Sequence, residues 1–290
     1  GAKFLVENHA DLFKDIRYAL GEFGGFTLHL ANRSLYPIAV AEKQICTLRA
    51  TLRGPGGHGS MPIRGGAMIK LARLLEKLEG LRLPVQITPA ARLMLGAIAD
   101  KLPAPKNFAI SQLLNPAFTD GALDMLGEGG YIFEPLLRNT VSPTIVHGGD
   151  KVNVIPSEIT LSLDGRLLPG FTPADLKTEL NQVTGGDVEF EVERYEVGPA
   201  EPDMGWFDTL GSILREADPQ GEPVPYMLSG VTDGRFFSRL GIQTYGFLPM
   251  QLSSGFDFTR TIHAADERIP VEALGFGANA IYNALLRANR

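Results

Sequence analysis

The sequence is poor in cysteine, has no excess of basic residues and contains no long apolar run. Its single cysteine, Cys46, excludes an internal disulfide and is typical of a reducing compartment, so we expect a cytoplasmic protein. The net charge of −6 gives no basic excess to neutralise phosphates, so we expect no nucleic-acid partner. No stretch approaches the roughly 18 apolar residues of a membrane span, so we expect no membrane partner either. The opening GAKFLVENHADLF does not follow the signal-peptide pattern.

The length and the balance of residue types indicate a globular protein with more than one domain. The 290 residues exceed the usual domain size of roughly 100–200 residues, so two domains are expected. Hydrophobic residues make up 44% and charged residues 21%, an ordinary globular composition. Residue 1 is glycine and leads directly into an amphipathic segment, Ala2–Phe13. We therefore expect the sequence to begin inside a longer chain.

The two end pieces, 1–44 and 198–290, alternate predicted strands with predicted helices. This alternation is typical of an α/β sheet covered on both faces, so the pieces are predicted to form one domain. The strands are predicted near Ile16–Leu20, Phe26–Leu30, Tyr36–Ala41, Tyr226–Leu228 and Gln243–Phe247, and the later helices over Gly205–Glu216, Gly234–Leu240 and Pro270–Arg287.

The middle piece, 45–197, has the β-α-β-β-α-β order of a ferredoxin-like domain, with a helical insertion near 82–138. Thr172, followed by proline, is the expected N-cap of its second helix. The predicted elements are strand Ile45–Arg53, helix Ala67–Leu78, strands Thr140–His147 and Ser157–Leu163, a helix from Pro173 to Val183, and strand Val188–Val197. The fold class is therefore α/β, with a ferredoxin-like domain inserted into a second α/β domain.

Two candidate sites lie in the middle piece. The first is GPGGHGSMP, where dense glycine indicates tight backbone and His58 is the side chain able to transfer or donate a proton; a flexible turn is an equally good interpretation. The second candidate site consists of two nearby segments, KVNVIP and LDGRLLPG. Arg166 there is either a solvated charge or a clamp for a carboxylate. Asn153, in an apolar strand, is structural or substrate-facing.

Two further candidates lie in the last piece, each just before a predicted helix. In LSGVTDGRFF, Thr232 or Asp233 is explained equally well by helix capping and by ligand binding at a strand end. In TIHAADE, His263 is a possible zinc ligand, although a lone histidine is more often structural.

Taken together, GPGGHGSMP, NVIPSEITLSLDGRLLPG, SGVTDGRFF and TIHAADERIP resemble the M20 family of metallopeptidases and amide hydrolases. The resemblance implies a zinc-peptidase-like catalytic domain with an inserted lid and dimerisation domain, two zinc ions and a homodimer. The implied substrate is an N-acyl amino acid or a small peptide. It also implies roles for individual residues: Glu22 and His263 as zinc ligands, His58 as a lid histidine that polarises the scissile carbonyl of the partner subunit, Asn153 and Arg166 as binders of the substrate carboxylate, and Gly230 and Thr232 as lining of the substrate pocket.

The sequence departs from the family pattern before Glu22. The family's HxD motif, bridging aspartate and paired glutamates have no counterpart there, since His9 stands in no HxD. We therefore expect a C-terminal portion of an M20 hydrolase that is inactive alone. One alternative is a non-catalytic dimerising or ligand-binding protein that has lost the metal half. Another is a metal-free hydrolase using Ser60 or Ser229, although neither serine lies in a GxSxG elbow.

Overall fold

Two larger β-sheets with covering helices and a short two-stranded sheet organise the chain, as seen in a computed structural model that describes residues 1–256 and 258–288. The strands are β1 (Tyr18–Gly21), β2 (Leu28–Leu30), β3 (Arg33–Glu42), β4 (Gln44–Arg53), β5 (Gly57–His58), β6 (Thr140–His147), β7 (Val154–Ile155), β8 (Glu158–Leu167), β9 (Glu189–Glu196), β10 (Gly221–Leu228) and β11 (Gln243–Gly246). The helices are α1 (Ala2–Asn8), α2 (Ala67–Leu78), α3 (Pro89–Lys101), α4 (Lys106–Gln112), α5 (Thr119–Leu126), α6 (Pro173–Thr184), α7 (Phe207–Ala217), α8 (Gly234–Phe237) and α9 (Val271–Ala288). Short 3-10 turns occupy Ala10–Phe13, Gly127–Gly130, Glu134–Leu136, Ser238–Leu240 and Phe258–Arg260.

The first sheet combines strands from both ends of the chain in the order β1-β11-β3-β10, with β2 beside β3. Helices α7 and α9 cover one part of it, where Leu210, Leu214 and Ala280 bury against Tyr36 and Tyr245. Helices α3, α4 and α5, with the segment up to Leu137, form a second apolar cluster that includes Leu35, Val224 and Met227 of the sheet. The helical segment predicted near 82–138 is thus a layer on the first sheet.

Strand β10 is longer than the sequence indicated, because it begins at Gly221 and not near Tyr226. Pro223 and Pro225 made the earlier part look unlike a strand. β10 pairs with β3 alone and lies at an edge of the sheet. Because alternate residues direct their backbone nitrogens to the same side, both prolines fit without the loss of a ladder hydrogen bond.

The second sheet has the order β6-β8-β4-β9, and each neighbouring pair is antiparallel. With α2 and α6 packed on one face, this is the predicted ferredoxin-like layout. Alternating residues of β4 and β8, including Leu48, Ala50, Leu161 and Leu163, are fully buried under the two helices. The predicted α/β fold class is confirmed. Among the described residues, none of the helices is both long and apolar enough to cross a bilayer.

Helix α6 shows how local sequence sets the ends of an element. The Thr172 hydroxyl accepts a hydrogen bond from the Asp175 backbone, and the Asp175 carboxylate accepts from the Thr172 backbone at 2.8 Å. Pro173 occupies the first turn, and Gly185 ends the helix with φ 78. The predicted N-cap is confirmed.

Buried polar side chains fix the place where the chain crosses between the sheets. Gln44 donates to the Leu168 carbonyl at 2.8 Å and accepts from the Gly198 backbone at 2.9 Å. It thereby links the segment that enters the second sheet before β4 to the segment that leaves it after β9. Lys43 Nζ, almost fully buried, donates to the Arg138 carbonyl and to the Thr140 hydroxyl, both at 3.0 Å. Burial is the main reason that the pKa of Lys43 is lowered to about 7.

Candidate functional site

A small cavity of the first sheet brings together two of the predicted site residues, Glu22 and Thr232. Glu22 follows the last residue of β1, and Thr232 lies in the turn between β10 and α8. Its volume of about 50 Å³ admits a few water molecules but falls far below the few hundred Å³ that small-molecule sites usually have. On its own, this cavity is therefore too small to hold a typical small-molecule substrate.

Glu42, which the sequence analysis did not single out, holds the Thr232 turn in place. One carboxylate oxygen, Oε2, accepts from the Thr232 backbone at 2.7 Å and from its hydroxyl at 2.8 Å. The other oxygen, Oε1, is buried and has no hydrogen-bond partner within the described part of the chain. Burial raises the pKa of Glu42, while the hydrogen bonds from Thr232 act in the opposite direction. The carboxylate at the end of the apolar strand YPIAVAE was the available signal.

An ion pair connects this turn to the second sheet. Arg235, in α8, donates to Glu196 of β9 at 2.6 Å and also to the Thr232 carbonyl. Arg194 donates to the other oxygen of Glu196 at 2.6 Å. Burial by itself would raise the pKa of Glu196, but the two arginines outweigh it and lower that pKa. The turn is thus held from both sheets, by Glu42 and, through Arg235, by Glu196.

A second group of predicted residues, His58 and Asn153, meets in the short antiparallel ladder of β5 and β7. The backbone of Gly59 donates to the Asn153 carbonyl at 2.7 Å, and His58 pairs with Val154. A Cβ on Gly59 would come within 3.2 Å of the Asn153 backbone, so a larger residue there would require the two segments to shift by a few tenths of an ångström. Neither residue is among those that line the cavity with Glu22. Within one chain the two groups are separate.

The imidazole of His58 is oriented by its own turn. The Ser60 backbone N–H donates to His58 Nδ1 at 3.2 Å, and the Ser60 hydroxyl lies 2.7 Å from the same nitrogen. Because Nδ1 accepts from a backbone N–H, the neutral ring carries its proton on Nε2. The ring is exposed, so Nε2–H is able to donate to an external oxygen.

This geometry also bears on the serine alternative. Ser60 reaches His58 through a contact between residues two apart, which is an ordinary turn interaction. A serine hydrolase needs a third group that orients the base, and no such bond to His58 Nε2 occurs within residues 1–256 and 258–288. Ser229 is exposed and makes no hydrogen bond to a histidine in that same part of the chain.

Arg166 lies on β8 with its guanidinium already engaged. It donates to both oxygens of Asp164, at 2.8 and 2.9 Å, and its side chain is 28% exposed. A substrate carboxylate would compete with Asp164 for the same fork. Gly230 lies in the turn that also holds Thr232, but it is not one of the residues lining the cavity.

The two predicted zinc ligands, Glu22 and His263, do not form a metal site with other side chains. His263 lies in an exposed turn after the Phe258–Arg260 segment, with φ 58. Zinc sites usually take three or four ligands from His, Cys, Asp and Glu. Across residues 1–256 and 258–288 no three such side chains are placed to hold a metal ion. The residues that the structure describes therefore do not fit the expected two-zinc centre by themselves.

Comparison with known proteins identifies the family of the chain. Residues 40–186, about half of the chain, match the peptidase dimerisation domain of the M20 group. The chain is 27% identical over 259 residues to human N-fatty-acyl-amino acid synthase/hydrolase PM20D1, covering 87% of this chain and 51% of that protein. It is 26% identical over 245 residues to a probable carboxypeptidase S-like protein of Dictyostelium discoideum, covering 83% and 46%. The chain spans about half the length of these relatives.

Solved structures show the same fold at low sequence identity. An M20 family metallo-carboxypeptidase from Sulfolobus solfataricus superposes with a TM-score of 0.61 at 16% identity, covering 98% of this chain and 66% of that one. The di-peptidase Dug1p from Saccharomyces cerevisiae superposes with a TM-score of 0.57 at 13% identity, covering 98% and 61%.

Proposed function

Because the chain belongs to the M20 family, we propose that it is the substrate-binding and dimerising portion of a hydrolase that cleaves amide or peptide bonds of N-acyl amino acids or small peptides. Relatives named as an N-fatty-acyl-amino acid synthase/hydrolase, a carboxypeptidase and an aminoacylase support this substrate class. The proposed domains are 1–44 with 198–290 for the catalytic part and 45–197 for the lid, although the helices of the insertion near 82–138 pack on the sheet of the catalytic part. A cytoplasmic location is part of the proposal.

One observation carries the proposal: the two groups of site residues lie apart within one chain. Glu22 and Thr232 share a cavity of the first sheet, while His58 and Asn153 meet at the separate two-stranded ladder of β5 and β7. A homodimer formed through residues 40–186 would allow the His58 group of one subunit to meet the Thr232 group of the other. This arrangement gives a reason for the cavity in one chain being too small for a substrate.

Each residue then has a defined task. His58 donates its Nε2–H to the carbonyl oxygen of the scissile amide, which stabilises the negative charge that develops there. Arg166 exchanges Asp164 for the substrate carboxylate, and Asn153 adds a neutral hydrogen bond. The Thr232 turn, fixed by Glu42, orients the substrate against the first sheet. Because no three metal-binding side chains come together among the described residues, we further propose that this chain alone hydrolyses N-acyl amino acids negligibly.

The proposal is tested by sedimentation and by a hydrolysis assay on the purified chain. We expect a dimer, and no release of amino acid from N-acyl amino acids above the uncatalysed rate. A chain that stays monomeric at every concentration would remove the basis for a shared site. The alternative of a non-catalytic ligand-binding protein is favoured if the full-length protein also fails to hydrolyse these substrates while it still binds them.

A further inference from the structure

An apolar groove of about 750 Å³ lies between α4 and α5, on the helical layer of the first sheet. Its lining includes Phe108 and Ala109 from α4 and Ala122 and Met125 from α5, with Phe118 just before α5. Three of these side chains are large and highly exposed: Phe108 at 65%, Phe118 at 58% and Met125 at 83%. Exposed apolar side chains grouped around a concavity usually mark a binding site.

The fold itself does not require these side chains to be apolar. Helix α4 buries Ile110, and α5 buries Ala122 and Leu123, in the cluster that also contains the sheet residues Val224 and Met227. Phe108 and Met125 lie on the open side of the same helices and contribute little to that core. Folding of the described residues therefore does not account for their apolar character, which is typical of a binding surface.

The shape and charge of the groove indicate the chemistry of its ligand. A volume of about 750 Å³ lies in the range of small-molecule sites and exceeds what a few water molecules fill. Lys106 is the charged residue among the described lining residues, and Gln112 adds a polar group. A membrane surface is usually met by a cluster of four to eight lysines and arginines, and the lining of this groove does not provide such a cluster among its described residues. One cation beside an apolar groove is complementary to an apolar chain with one anionic end.

We propose that the groove between α4 and α5 binds a long unbranched acyl chain whose anionic head group pairs with Lys106. The proposal rests on the proposed function, since an N-acyl amino acid with a long acyl group is such a molecule. A free fatty acid has the same chemistry, so both are used as probes. The groove and the cavity beside Thr232 share no lining residue.

Gly121 offers a way to fill the groove without disturbing the core. It lines the groove within α5, and a Cβ placed on it would meet no atom within 4 Å. Gly121→Leu therefore projects its side chain into the open space. Gly96, in α3, also has no neighbour within 4 Å of an added Cβ but does not line the groove, so Gly96→Leu is the matched control. Both changes replace a helical glycine by a better helix former, so the two variants should be similarly stable.

The experiment measures binding of a fluorescent long-chain fatty acid to the purified chain, and its displacement by hexadecanoate, N-hexadecanoylglycine, octanoate and hexadecanol. We expect saturable binding that hexadecanoate and N-hexadecanoylglycine reverse at lower concentration than octanoate. Each buried methylene changes affinity by about fourfold, so Gly121→Leu, which displaces two or more, should weaken binding at least about tenfold. Gly96→Leu should stay within about twofold of the unmodified chain. Lys106→Met should weaken binding of the two anions about twofold to fivefold and leave hexadecanol unchanged.

The proposal would be overturned by an absence of saturable binding or by equal binding in the two glycine variants. It would also be overturned if Gly121→Leu changed only the sedimentation of the chain, since the groove would then be a surface for a second copy. Circular dichroism and urea midpoints of the two glycine variants establish that both remain folded. Because no hydrolysis is measured, failure here leaves the proposed amide hydrolysis untouched. Conversely, the full-length protein could fail to cleave N-acyl amino acids while Gly121→Leu still weakens fatty-acid binding. That result would refute the proposed hydrolysis and support the proposed acyl-chain site.

Discussion

Replacing Glu42 tests whether a buried carboxylate fixes the turn that carries Thr232. Two variants separate its roles: Glu42→Gln keeps an acceptor for both Thr232 donors but cannot ionise, while Glu42→Ala removes the acceptor. Hydrogen bonds to a charged group contribute about 1.5–3 kcal/mol each. Since Thr232 is half-buried and water can replace part of what is lost, we expect Glu42→Ala to lower the free energy of unfolding by about 2–3 kcal/mol.

The dependence on pH provides the sharper readout. Burial raises the pKa of Glu42 above its ordinary value of 4.5. Between that value and the pKa in the folded chain, the folded state holds a proton that the unfolded state has released. Stability therefore falls as pH rises through this window, and this contribution is absent in Glu42→Gln. The free energy of unfolding of Glu42→Gln, minus that of the unmodified chain, should therefore increase between pH 4.5 and pH 8.

Urea unfolding of the three proteins at several pH values, followed by circular dichroism, measures these differences. At pH 8, Glu42→Ala is expected to lose more stability than Glu42→Gln. The reasoning about Glu42 fails if the two variants are equally destabilised, or if the difference between Glu42→Gln and the unmodified chain does not change with pH.

Three further outcomes are expected in urea unfolding. Thr172→Ala removes the N-cap of α6 and should cost about 1 kcal/mol; a loss below about 0.3 would contradict the capping role. Arg235→Met leaves the buried Glu196 with Arg194 as its remaining partner and should cost about 2–3 kcal/mol, less than the loss from a fully buried ion pair. The control Arg53→Met, which removes an exposed ion pair, should cost under about 1 kcal/mol. Equal losses in the two variants would contradict the buried role of Arg235. In the folded chain the pKa of Lys43 is lowered to about 7, against its ordinary value of 10.5. Between these two pH values the unfolded chain binds a proton that the folded chain does not, so the free energy of unfolding rises with pH. Lys43→Met should abolish this rise, and a rise that persists in the variant would show that another group is responsible.

Elements with strong local signals were predicted well. Helix α2 was predicted over Ala67–Leu78 because leucines recur at helical spacing after a glycine-rich loop, and those are its observed bounds. The ferredoxin-like order was predictable because alternation in β4 and β8 marks strands buried on one face. β10 was underestimated because an edge strand tolerates prolines that a central strand does not, and position in a sheet is a property of the whole fold.

The candidate site was predicted residue by residue but not as an arrangement. The pairing of Arg166 with Asp164 could have been foreseen, since residues two apart on a strand share a face. The contact between the His58 and Asn153 segments could not, because it joins parts of the chain nearly a hundred residues apart. Glu42 was missed because its partner Thr232 is similarly remote in sequence. The metal roles of Glu22 and His263 stay predictions.

The most direct measurement is the zinc content of the purified 290-residue chain, by elemental analysis with the intact mass recorded on the same sample. A chain that provides the substrate and dimerisation surfaces without its own metal centre should have a mass near 31.4 kDa and hold well under one zinc ion per chain after dialysis. Two tightly held zinc ions per chain, together with hydrolysis that a chelator abolishes, would contradict this assignment.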